Sequence, residues 1–160
     1  NGAWRDGKQS MYQGGLRVAF GAKWPGRIKA GSRSAHIALT MDIFPTVLGA
    51  AGLKGLGGIE GRTFLPTLLG KGQPQYKRDL FFTRREGGNR YQGKTTDAVI
   101  RGDWKLLQNS PFEPLELYNL KNDPEEATDL AKKNGGKFNE LSKALRAQLQ
   151  QHGLAPVVDA

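Results

Sequence analysis

The chain has 160 residues, no cysteine and a formal net charge of +9. That length suffices for one or two domains with a hydrophobic core, and the missing thiols exclude a disulfide framework and a thiolate metal site. The charge is uneven: residues 1–105 carry 18 basic and 7 acidic side chains, a net +11, whereas residues 106–160 carry 6 and 8, a net −2. The front part therefore faces anions and the tail does not. The lysines and arginines are scattered, with no basic helix, no aromatic-basic run and no zinc-finger spacing, which argues against nucleic acid as the partner. A small anionic substrate uses the same electrostatics. No apolar run reaches the roughly 18 residues of a membrane span, so no membrane partner is expected.

In chain order, Asn1 to Ile28 reads NGAWRDGKQSMYQGGLRVAFGAKWPGRI. Gly7-Lys8 places a lysine in a glycine-flanked loop. Glycine lets the backbone come close, and the ammonium offers three donors to an oxyanion. The same pair also occurs on surfaces where the lysine meets only solvent. Arg17, beside Gly14-Gly15, reads as a buried salt-bridge residue holding a turn. Val18–Trp24 predicts a short strand interrupted by Gly21 and stopped by Pro25-Gly26. A basic loop over 27–34 follows. Asp42 or Thr40 then caps a helix that tolerates Pro45 in its first turn, carries Ile43, Val47, Leu48 and Ala51 on one apolar face, and ends at Gly52. His36, alone before that helix, reads as a hydrogen-bonded structural residue rather than a catalyst.

Residues 53–79 are loop-rich, with a short helix expected around Leu65–Leu69. From Arg78 the period changes. Strands are expected at Asp79–Thr83, Ala98–Arg101, Trp104–Gln108 and Glu116–Leu120, the middle two joined at Gly102-Asp103 in a hairpin. Four short strands with local connections predict a small antiparallel sheet. Between the first two lies RREGGNRYQGK, whose Arg84, Arg85 and Arg90 are guanidinium forks suited to oxyanions; the plainer alternative is a solvated basic loop. Asn122-Asp123-Pro124-Glu125-Glu126 predicts a helix start, with Asp123 as cap, Pro124 first and Glu126 as capping-box acid. Lys137–His152 spaces Phe138, Leu141, Leu145 and Leu149 as an amphipathic helix covering one face of the sheet.

Several of these strings together resemble one family, the type I sulfatases of the alkaline-phosphatase superfamily, most nearly arylsulfatase- and N-acetylgalactosamine-6-sulfatase-like members. Asn1-Gly2 is similar to the end of the family's Asp-Asn-Gly turn, Gly7-Lys8 to its Gly-Lys pair, and Gly14-Gly15-Leu16-Arg17 to its Glu-Gly-Gly-x-Arg-x-Pro turn. Gln13 stands where the family has Glu, and Ala19 where it has Pro. DIFPTVLGAAG (42–52), GRTFLPTLLG (61–70) and above all ELYNLKNDPEEATDLA (116–131) extend the likeness over nearly the whole chain.

The resemblance implies an α+β chain: the C-terminal fragment of an alkaline-phosphatase-like α/β enzyme, ending in a four-stranded antiparallel sheet packed by a C-terminal helix. Residues 1–75 would belong to the large domain and 76–160 to the C-terminal subdomain. It implies hydrolysis of sulfate esters of a sulfated carbohydrate, with Lys8 as the catalytic contact to the sulfate. Arg84, Arg85 and Arg90 would reach the substrate, and Asn1 would ligate calcium through its carbonyl oxygen. The formylglycine nucleophile arises in a Cys- or Ser-x-Pro-x-Arg motif, and none is present. The chain by itself is therefore expected to lack the nucleophile and most metal ligands, to be inactive, to bind calcium poorly, and to self-associate through exposed core. The whole enzyme would be periplasmic or secreted. The rival expectations are a non-catalytic polyanion-binding module and a fragment of a related phosphodiesterase or phosphonate hydrolase.

Overall fold

A computed structural model describes residues 2–55, 57–72, 78–85, 92–151 and 153. In chain order the elements are α1 (Gln13–Leu16), a 3-10 turn (Thr40–Asp42), α2 (Ile43–Ala50), α3 (Leu65–Leu68), β1 (Leu80–Arg85), β2 (Thr95–Arg101), β3 (Trp104–Gln108), β4 (Glu116–Asn119) and α4 (Gly135–Gln151). The four strands form one antiparallel sheet in the order β1-β2-β3-β4. Two compact units result: Asn1–Val18 with Lys77–Ala160, and Ala19–Tyr76. Residues 2–18 thus pack with the sheet. No described helix is long and apolar enough to cross a membrane.

Local chemistry accounts for the sheet. Arg101 pairs with Trp104 across the two-residue turn Gly102-Asp103, and Gly102 takes φ +57, the left-handed conformation a tight hairpin needs at its first central position. Strand alternation then sorts the side chains into two buried clusters. On one face Val99, Leu106 and Leu117 pack with Leu141 and Leu145 of α4, flanked by Phe138 and Leu149. This is the helix-covered face that the spacing of the last element predicts. The opposite face is covered by residues far away in sequence: Ala98, Leu107 and Tyr118 pack with Met11 and Tyr12 of the N-terminal segment. Helical periodicity cannot reveal that second layer, because the covering segment is a loop and one turn of helix.

The expected helix start at Asp123 is instead a turn. The Asp123 carboxylate accepts from the amides of Ala127 and Thr128 at 3.0 and 2.9 Å. Glu126 turns into the interior at φ +58, fully buried. A capping acid would face solvent; this one is held by a buried lysine.

Residues 18–24 form no strand. Val18 and Phe20 are exposed, and the Phe20 ring meets Phe64 edge-on at 5.5 Å. Trp24-Pro25-Gly26-Arg27 closes a turn through the Arg27 amide to the Trp24 carbonyl at 3.0 Å, with Gly26 at φ +75. Around α2 the polar side chains do the anchoring. Asp42 accepts from the Leu39 and Arg62 amides at 2.8 and 2.7 Å, and the Thr46 hydroxyl accepts from the Phe64 amide at 3.0 Å. A Cβ on Gly61 would lie 2.2 Å from the Met41 carbonyl oxygen, so that glycine permits the approach. Of the apolar face outlined by the spacing, Ile43 and Val47 are 39 and 58 % exposed, Ala51 is exposed and Leu48 is half-buried; Phe44 is also exposed, and Thr46 is buried.

Candidate functional site

The site grows from the segment that carries Lys8. Asp6 and Gln9 both adopt left-handed backbone, φ 59 and 84, which costs a non-glycine residue roughly 1–2 kcal/mol. Lys8 lies between them. The loop closes on itself through the Ser10 amide to the Gly7 carbonyl at 3.1 Å and the Gly14 amide to the Arg5 carbonyl at 3.0 Å. The Gly7 amide donates to the Asp6 carboxylate at 2.8 Å. Helix α1 runs so near this loop that a Cβ on Gly14 would lie 2.2 Å from the Asp6 carbonyl oxygen. One on Gly15 would lie 2.1 Å from that of Ser10. Gly14-Gly15 is therefore the space in which the Lys8 loop rests.

Two left-handed residues in four need outside support, and the sheet supplies it. The Glu126 carboxylate accepts from the Gln13 amide at 2.6 Å and from Lys105 at 2.6 Å, and its carbonyl accepts from the Arg5 guanidinium at 2.7 Å. Burial pushes the Lys105 ammonium below the usual lysine range, against the pull of Glu126. Asn109 accepts from the Met11 amide at 2.7 Å. The Arg84 guanidinium donates to the Gln9 carbonyl at 2.5 Å. Glu116 receives the hydroxyls of both Tyr12, at 2.7 Å, and Tyr118. Burial and those bonds to Glu116 raise both phenols above the ordinary tyrosine range. The Arg5 guanidinium lies 3.9 Å over the Tyr12 ring and donates to the Tyr118 hydroxyl at 2.9 Å. Glu116 and Tyr118 point the same way because they are two apart on β4; Leu117 between them packs toward α4.

What the loop presents is an open cavity of about 490 Å³, lined by Lys8, Gln9, Ser10 and Met11 on one side and by Thr83 and Arg84 of β1 on the other. Lys8 is exposed and Arg84 half-buried. The structure thus brings together two of the residues singled out in the sequence. Arg85, next along the strand, is exposed and donates to the Gly93 carbonyl at 3.1 Å, away from this lining. Arg90 and Asn1 lie outside the described residues. Arg17 is corrected: it is exposed, and its guanidinium stacks 4.1 Å over the Trp4 ring rather than being buried in a salt bridge. His36 is half-buried in the other unit, with its ring 6.3 Å from that of Phe64.

Arg5, Lys105, Glu116 and Tyr118 were not recognisable as partners of Lys8 from spacing alone. The one signal that pointed their way is that the strings around residues 1–17 and 116–131 are the two most motif-like in the chain. Among the described residues no three His, Asp or Glu converge on a point that could hold a metal ion.

The four-stranded antiparallel sheet backed by a C-terminal helix makes an α+β fold, and its structural neighbours are sulfatases of alkaline-phosphatase-like fold. The crystal structure of Ps i-CgsB in complex with k-i-k-neocarrahexaose matches it with a TM-score of 0.77 at 25% identity, over 92% of this chain and 32% of that one. The mouse (Mus musculus) N-acetylgalactosamine-6-sulfatase is 40% identical over 107 residues, 66% of this chain and 19% of the relative. The N-acetylgalactosamine-6-O-sulfatase of Bacteroides thetaiotaomicron is 29% identical over 164 residues, 91% of this chain and 30% of the relative. The family described as N-sulphoglucosamine sulphohydrolase, C-terminal, matches residues 2–154, and the chain belongs to this sulfatase family. It spans less than a third of the length of the relatives it matches.

Proposed function

We propose that this chain supplies the Lys8 side of the substrate pocket in a protein that hydrolyses sulfate esters of a carbohydrate. The observation that carries the proposal is the convergence of Lys8 and Arg84 on one open cavity, on a loop whose backbone is held from several directions. Family membership and the carbohydrate substrates named for its relatives support the same class. In this reading the Lys8 ammonium donates to a sulfate oxygen and offsets the negative charge that grows on the leaving side as the S–O bond breaks. A lysine suits the task because its three donors follow the oxygens without a fixed plane. Arg84 borders the same space and holds the Gln9 carbonyl.

Calcium, assigned by resemblance to Asn1, would need carboxylates from other parts of the whole protein, since the described residues bring no such group together. A periplasmic or secreted setting for the whole protein is part of the same reading. The test is Lys8→Ala in the whole protein, assayed on a chromogenic aryl sulfate and on sulfated sugars. The expected loss in kcat/KM is about 10²–10³-fold, with the melting temperature unchanged because Lys8 is exposed. Undiminished turnover would remove Lys8 from the substrate. Turnover by the 160-residue chain alone, above a Lys8→Ala control, would overturn the placement of the nucleophile elsewhere.

A further inference from the structure

Glu126 holds the Lys8 loop at both of its ends. Its carbonyl accepts from Arg5, three residues before Lys8, and its carboxylate from the amide of Gln13, five residues after it. The remaining carboxylate oxygen is taken by Lys105 of β3, so the clamp is tied to the middle of the sheet. Glu126 itself is fully buried and sits at φ +58, a backbone conformation that a glutamate keeps only when its surroundings over-determine it. Within the span it closes, Asp6 and Gln9 are also left-handed, so a released span would relax toward ordinary backbone and carry Lys8 with it. No helix cap or surface role uses a carboxylate in this way.

We propose that Glu126 is a positioning residue: it acts through the Lys8 loop, setting where the Lys8 ammonium stands in the cavity. The proposal rests on the reading of Lys8 as the substrate contact. Removing Glu126 itself would strand the Lys105 charge in the interior and confuse positioning with unfolding. Removing both charges together avoids that. Lys105→Met with Glu126→Leu deletes the acceptor of the Gln13 amide and leaves no charge stranded in the interior. Lys105→Met with Glu126→Gln is the control: it removes the same two charges and keeps a carbonyl oxygen for the Gln13 amide.

Two readouts are taken on the whole protein. One is the rate of native-state trypsin cleavage after Lys8, followed as the peptide that begins at Gln9. The other is kcat/KM on an aryl sulfate, in the Lys8 and Lys8→Ala backgrounds. With Glu126→Leu in the Lys105→Met background, cleavage is expected to rise about tenfold over Glu126→Gln, the equivalent of one hydrogen bond to a buried amide. kcat/KM should fall about tenfold when Lys8 is present and stay level when it is not. Equal cleavage of the two variants would overturn the role of Glu126. Raised cleavage with an activity indifferent to Lys8 would retain that role and overturn the assignment of Lys8 to the substrate. Equal activity losses in both backgrounds would show that Glu126 does not act through Lys8, and would also overturn the proposal.

Discussion

Lys105 and Glu126 are both fully buried and 2.6 Å apart, so their pairing is an all-or-none matter. Arg101 reaches Asp79 and Glu140 on the surface, 39 % exposed, where such pairs contribute little, on the order of 1 kcal/mol or less. Truncating one partner of the buried pair strands the other charge. Lys105→Met should therefore cost about 3–5 kcal/mol, read as a lowered urea midpoint. Lys105→Met combined with Glu126→Gln should recover most of that, because the amide oxygen still accepts from Gln13. If the double variant is no better than the single one, desolvated charge is not what the pair controls. Asp97 is another buried carboxyl group. Burial raises its carboxyl above the usual carboxylate range, against hydrogen bonds from Thr95 and Thr83, and its Oδ1 has no hydrogen-bond partner. In the unfolded chain it ionises first as pH rises. At pH above the folded value the folded state thus carries the cost of a buried charge, and below 3.8 that cost is gone. Asp97→Asn should raise Tm by about 2–5 °C at neutral pH, with the difference from wild type closing as pH falls below 3.8. A pH-independent gain would contradict the charge argument.

At the scale of elements, the ELYNLKNDPEEATDLA string is a seat for the N-terminal segment. Glu116 and Tyr118 take Tyr12 and Arg5, Glu126 takes Gln13 and Arg5, and Leu117 faces the helix-packed core. The Gly-Gly pair answers it from the other side. Gly15→Ala would force a Cβ to 2.1 Å from the Ser10 carbonyl oxygen, and that atom is backbone, unable to swing aside. We expect a loss above about 2 kcal/mol together with freer trypsin cleavage after Lys8. An Ala variant with the wild-type urea midpoint would mean that α1 does not lie this close to the loop. The turn at Asp123 belongs to the same design. Its composition is that of a helix start, and tertiary contacts override it because Glu126 gains more from Lys105, Gln13 and burial than from a solvent-facing cap.

Over the whole molecule, charge and exposed apolar surface point to what the chain meets. Residues 1–105, which include Lys8, carry a net +11, while residues 106–160 are net −2 and include Glu116, Tyr118 and Glu126 of the seat. Ile37, Met41, Ile43, Phe44, Val47 and Leu53 are all exposed in the second unit, an unusual concentration for a surface in contact with water. The 160-residue chain alone should therefore self-associate, with a sedimentation coefficient that climbs with concentration. Val47→Glu, on a side chain that is 58 % exposed, should suppress the climb without lowering the helix content. A monomer at every concentration would show that this surface is tolerated in water.

Much of the architecture was legible in the sequence because its causes are local. Strand alternation, the Gly102 turn, the period of Leu141 and Leu145, and the glycine-flanked lysine each act within a few residues. The family likeness was legible for the same reason, since its strings are short. Three things were decided only by tertiary structure: the covering of the second sheet face by Met11 and Tyr12, the inward turn of Glu126, and the outward turn of Ile43 and Val47. Each depends on a partner between 18 and 113 positions away, as Thr46 to Phe64, Lys105 to Glu126, Tyr12 to Glu116 and Gln13 to Glu126 illustrate. Sequence alone established a lysine presented by glycines; the fold determined what holds it, because buried carboxylates and left-handed residues take their meaning from neighbours that spacing cannot name.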